Sequence, residues 1–206
     1  MNKALFLLFT AILPFMAIAD DWDPQSPGPI AEVQKVVGQV FFNGLNLKVG
    51  DKIEKNGSLE TRDKSMVQFK IAAYNNIITI GPRTKMTFNL TGEKKYVLEE
   101  GSCRWKTEIK NALKSPAKGK IFTKTVAMGV RGTDFLVKSN ALFGEVEIIM
   151  FDGEVLMDNL EDSDNSVIVK KGQWGGMGGR FGKKIAPPLD IPPSALAQFE
   201  KLIESK

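Results

Sequence analysis

The sequence predicts an all-β protein, two packed sheets or one rolled sheet of short strands, closed by a short C-terminal helix. Three observations predict it. Apolar residues recur at every second position in short runs, as in Phe135/Val137 and Val146/Ile148/Met150, which is strand periodicity. Val, Ile, Phe and Thr fill these runs, and Gly, Asn and Asp bound them. Helical periodicity is found only at the C-terminus.

The elements follow in order. Residues 1–19, "MNKALFLLFTAILPFMAIA", have Lys3, an apolar run and small residues at Ala17 and Ala19. That is the layout of a cleavable signal peptide, with Asp20 as the first mature residue. The run is interrupted by Pro14 and is short for a span of about 20 apolar residues, so the mature chain is expected to be periplasmic or secreted, without a transmembrane segment. Residues 20–32 are rich in Pro, Asp and Ser and read as a leader. Residues 33–173 carry the β domain. Within it, Asn75-Asn76 and Asp152-Gly153 are candidate two-residue hairpin loops, because Asn, Asp and Gly tolerate positive φ. "GEVEIIMFDGEVLMDN" therefore reads as a hairpin, and Gly81-Pro82 as a stop signal. Residues 174–193 read as a Gly/Pro-rich loop; "GGMGGRFGKK" lacks the strand–glycine–helix context of a phosphate cradle. Residues 194–206 form the helix: Ser194 caps it, and Leu196, Phe199, Leu202 and Ile203 share one face.

The composition excludes several chemistries. Histidine is absent from the 206 residues, which removes serine–histidine and cysteine–histidine nucleophile pairs. Cys103 is the single cysteine, so no internal disulfide and no thiolate metal site can form. Neither metal nor cofactor is expected. The cysteine reads as a small buried hydrophobe. The net charge of +4 is unevenly spread. Residues 104–124 hold seven bases and one acid, residues 170–184 five bases and no acid, and residues 152–164 six acids and no base. Lys114, Lys118 and Lys120 are candidate contacts for an anionic surface polymer, although such runs are often solvated loops. Nucleic acid is not an expected partner.

The stretch "VAMGVRGTDF", 126–135, is the most specific. Gly129 and Gly132 suit a tight backbone bend, and Val130, Arg131, Thr133 and Asp134 complete a candidate ligand contact. Arg131 could grip a carboxylate or phosphate with its planar fork. It could equally tie down backbone carbonyls or meet Asp134 or Asp51 within the fold. No general base, metal set or activated nucleophile accompanies it.

The order of these segments resembles the FecR domain of bacterial envelope proteins. The resemblance rests on "VGDKIEKNGSLETRDKSMVQFKI", "IITIGPRTKMTF", "YVLEEGSCRW", "TKTVAMGVRGTDFLV", "DGEVLM" and "VIVKKGQW", with Thr123 to Phe135 its most specific part. It implies a β-rich periplasmic or cell-surface domain without known catalysis, binding an envelope protein or a surface polymer in signalling or assembly. The best-known members add a membrane helix and a cytoplasmic segment that controls a sigma factor. This sequence has no counterpart to that segment, so direct transmembrane control of transcription is not expected. The alternative is a carboxylate-based glycan-processing enzyme, which would need two carboxylates about 5–10 Å apart in a cleft.

Overall fold

A computed structural model describes residues 31–71, 76–89, 96–107, 119–179 and 182–204. Among them the chain runs through β1 (Ala31–Val37), β2 (Val40–Phe42), β3 (Leu45–Asn46), β4 (Lys52–Ile53), β5 (Gly57–Thr61), β6 (Met66–Ile71), β7 (Asn76–Ile80) and β8 (Lys85–Phe88). It continues through β9 (Tyr96–Thr107), β10 (Gly119–Phe122), β11 (Val126–Asn140), β12 (Glu145–Asn159), β13 (Ser166–Lys170), β14 (Gln173–Met177) and β15 (Leu189–Asp190), and ends in α1 (Pro193–Glu204). The all-β class with a short C-terminal helix is what the sequence predicts. The proposed signal peptide and most of the proposed leader lie outside the described residues.

One continuous hydrogen-bonded sheet folds over into two layers, because β9, β11 and β12 are long enough to run through both. In the first layer the order is β4-β1-β6-β7-β9-β11-β12-β14-β15, using residues 101–107 of β9, 134–140 of β11 and 145–152 of β12. In the second layer the order is β3-β2-β5-β8-β9-β10-β11-β12-β13, using the other halves of the same three strands. β10 lies parallel to β9; the other pairings are antiparallel.

Burial shows how the long strands cross. The core positions of β9 are Tyr96 and Leu98, then Cys103 and Trp105. Those of β11 are Val126 and Met128, then Phe135 and Val137; those of β12 are Val146, Ile148 and Met150, then Val155 and Met157. Each strand switches parity once. In a pleated strand alternate side chains face opposite ways, so an odd insertion at the crossing is needed to keep the apolar set inward on both sides. The two layers then meet through aromatic side chains. Phe69 of the first layer packs edge-on against Phe88 of the second at 5.3 Å. Tyr96 and Trp105, both in β9, meet at 5.0 Å because the strand folds back over itself.

Several expectations need correction. Asp152-Gly153 is not a hairpin loop. It lies inside β12, where Gly153 takes φ +79° at the crossing. The hairpin turns are on either side of β12, at 141–144 and 160–165. Asn76 is not a loop residue either. It is 2% exposed in β7, paired with Ile71, while Asn75 lies outside the described residues. The β domain takes in Ala31 and Glu32, which pair with Ile71 and Lys70. The glycine-rich segment from 174 contributes β14, where Gly175 leaves room for the side chain of Val169. The missing side chains serve close packing there rather than looseness. The helix begins at Pro193, one residue before the expected cap.

Candidate functional site

The motif that dominates the sequence is the crossing point of β11. Its approach is built by two threonines. At the turn from β10, the backbone N–H of Val126 donates to Thr123 Oγ1 at 3.0 Å. Thr125 donates its hydroxyl to the Gly144 carbonyl at 3.2 Å. Gly129 and Val130 then pair with Leu156 and Val155 in regular register. After Arg131, opposite Glu154, the register breaks: Gly132 and Thr133 face Gly153 alone, and Asp134 pairs with Asp152. One step on, Phe135 pairs with Met150, so Phe151 becomes the extra residue of β12. Two bulges of opposite sense thus bend both strands and restore the register beyond.

The bulges set side chains as well as backbone. Thr133 and Phe135 face the core, at 2% and 0% exposure. Asp134 therefore lies on the outer face of the first layer, beside Lys106 and Leu136 and near Arg104 of β9. There the Arg104 guanidinium donates twice, from Nε to Oδ1 and from Nη2 to Oδ2 of Asp134, both at 2.8 Å. Phe151, freed by the second bulge, lies under the guanidinium with its ring centroid 4.9 Å from Cζ. Lys106 Nζ approaches Asp134 Oδ2 at 3.8 Å, and Glu200 of α1 reaches Arg104 Nη2 at 3.5 Å. Arg104 and Asp134 have side-chain exposures of 6% and 11%. A forked, aromatic-backed pair withdrawn from water is geometrically specific, and breaking a buried pair typically costs about 3–5 kcal/mol.

These contacts redistribute the roles expected from the motif. Asp134 is the anchored charge, and its partner is Arg104, which the sequence reading passed over. The available signal was its position between Cys103 and Trp105, a charge inside an apolar strand. The side chains of Val130, Arg131 and Gly132 lie outside the described residues. Gly129 does not serve a bend: its φ is ordinary, and a Cβ there would meet nothing within 4 Å. Lys120 is exposed on β10, paired with Gly129; Lys114 and Lys118 lie outside the described residues. Arg104 and Lys106, two of the seven bases in 104–124, are turned to Asp134, which reduces the charge that segment offers a polymer.

An open pocket of about 410 Å³ adjoins the pair on the same outer face. Arg104 forms one wall, Met66, Leu136, Val37 and Pro82 give it apolar surface, and Lys64 joins the lining. Lys64 stands in a turn with φ +54°. Among the described residues the lining includes no carboxylate, so they assemble no acid pair of a glycoside hydrolase there. Asp152, at the β12 crossing, is instead engaged by Lys171 at 3.0 Å. Among the described residues no cluster of three or more His, Cys, Asp or Glu side chains could hold a metal. Burial pushes the Cys103 thiol up to about 12, which keeps it from acting as a thiolate. The described lining combines apolar surface with Lys64 and the Asp134-paired guanidinium of Arg104.

Two solved structures share this fold, both described as a "putative anti-sigma factor" from Parabacteroides distasonis ATCC 8503. One matches with a TM-score of 0.53 at 12% identity, covering 70% of this chain and 64% of that one. The other matches with a TM-score of 0.54 at 13% identity, covering 71% and 65%. The likeness is one of fold, and the matched region spans just under two thirds of those chains. No protein-family model matches this sequence. No curated protein matches it either.

Proposed function

We propose that this chain is an exported, FecR-like regulatory module of the cell envelope that acts by binding another protein rather than by catalysis. The observation that carries the reading is the fold shared with the anti-sigma factor structures. Two features support it. The Thr123–Phe135 segment, the part most like the FecR domain, forms the crossing of β11 and supplies Asp134 to the Arg104 pair. The neighbouring pocket is open and apolar with basic walls, a recognition surface rather than a reaction centre. A protein partner suits it better than a polymer, because an extended polyanion needs a broad field of exposed charge, and part of the basic segment is internally paired. The signal-like residues 1–19 support passage out of the cytoplasm.

Crosslinking in the native envelope, followed by mass spectrometry, tests this reading. Lys64 is expected to crosslink to one envelope protein, and the mature mass to begin at Asp20. Crosslinks to glycan alone, or a mature chain that retains Met1, would contradict it.

A further inference from the structure

The pocket and α1 meet at Arg104. Arg104 lines the pocket and also receives Glu200 from the helix. Among its described side chains the helix is held lightly. Phe199 remains 42% exposed, and the contact from Glu200 to Arg104 is 3.5 Å long. A 12-residue helix is marginal on its own. Its root is firm: β15 pairs with β14, and the Ile191 N–H donates to the Gly172 carbonyl at 2.8 Å. Pro192 alone separates that anchor from the helix, which opens on Pro193. Such a helix can leave the face without disturbing the sheets.

The helix also shows what this face accepts. Glu200 brings a carboxylate to Arg104, with Phe199 and Leu196 one and four residues before it. Among its described residues the pocket beside it presents Met66 and Leu136 with Lys64 and Arg104, and no carboxylate. We propose that the pocket is the docking site for an amphipathic segment of the protein partner, one that carries a carboxylate next to an apolar anchor. In this scheme α1 is the built-in competitor for Arg104. The apolar anchor enters between Met66 and Leu136, the carboxylate takes the place of Glu200, and α1 is released. The inference rests on the reading of the chain as a protein-binding module, and it names the face and the chemistry.

The test uses the full chain and a synthetic peptide of residues 193–206 that carries a benzophenone side chain in place of Phe199. On irradiation the peptide should label the segments containing Met66 or Leu136. Labelling should be at least about fivefold stronger on Glu200→Gln than on wild type, the lower end of ordinary coupling between sites. Leu136→Glu should abolish labelling while melting close to wild type. Labelling confined to other surfaces, or equal on wild type and Glu200→Gln, would overturn the proposal. Because the labelling needs no captured partner, its failure overturns the pocket assignment alone, whereas failure to capture any envelope protein overturns the regulatory reading.

Discussion

β9 and β11 both cross from one layer to the other, and they do so by different means. The crossing of β9 uses glycine and neutral hydroxyls. Gly101 takes φ +97°, and a Cβ there would fall 2.5–2.6 Å from the Cα and Cβ of Thr84. Thr84 Oγ1 accepts the Ser102 N–H at 3.0 Å, Thr61 Oγ1 accepts the Thr84 N–H at 2.9 Å, and Thr61 donates to the Gly81 carbonyl at 2.6 Å. The crossing of β11 uses paired bulges and a buried ion pair. Sheet closure is met by the first, neutral arrangement. The charged arrangement adds something closure does not need: a guanidinium held in place beside an open pocket. That difference is why the proposed docking face is placed at the second crossing and not at the first.

Gly101→Val should have the largest effect. It imposes both a steric overlap and an unfavourable φ, and a loss above about 4 kcal/mol is expected of such a site. Urea unfolding followed by circular dichroism measures it; a stable, wild-type-like variant would show that this crossing is not close-packed. Asp134→Ala should come next, at about 3–5 kcal/mol, because it strands Arg104. Arg104→Lys should be clearly destabilising too, since an ammonium cannot make the two parallel bonds.

Cys103, two residues beyond Gly101, reports on the same crossing. With its thiol pushed up to about 12 by burial, it should resist alkylation at pH 8 in the native protein and react once the chain is unfolded. Gly101→Ala should accelerate that reaction, whereas Glu200→Gln should leave it unchanged. Equal acceleration by both would mean that the two crossings do not open independently.

The smallest effects lie at the edges of the comparison. At the β9 crossing, burial raises the Glu99 carboxyl, but the Thr87 hydroxyl and the Lys85 ammonium more than offset this, leaving it below its ordinary value of 4.5. A carboxyl lowered in the folded state stabilises above its unfolded pKa and loses that contribution as pH falls through the folded one. Glu99→Gln should therefore lower stability slightly at neutral pH and flatten the fall below about pH 4.5, so that variant and wild type converge in acid. Gly129→Ala should stay within about 0.5 kcal/mol of wild type, because the added methyl meets open space.

The class of fold was legible in the sequence because alternation is a local signal, and every core strand carries it. The crossings were not read, although their trace was present. In β12 the apolar positions shift from Val146, Ile148 and Met150 to Val155 and Met157, a change of parity across Asp152-Gly153. The same dipeptide suits a hairpin loop and a bend, and local chemistry alone does not separate them. What decides is pairing with β11, a contact between strands that follow different turns. The motif is conspicuous because its signal is local. Its glycines and arginine stand out in one dimension, but Asp134 finds its partner 30 residues back, where Arg104 reads as one of the seven bases of residues 104–124. Gly129 had no role in a bend because the extra residue was supplied one turn later, at Gly132 and Thr133.

A double-mutant cycle at Arg104 and Asp134 tests most directly the claim that the motif anchors a charged crossing. Unfolding free energies of the wild type, Arg104→Ala, Asp134→Ala and the double variant give the coupling. The double variant should be much less damaged than the two single losses together, with a coupling toward the upper end of about 0.5–3 kcal/mol. Additive losses would contradict it, and would leave the two residues as neighbours that do not depend on one another.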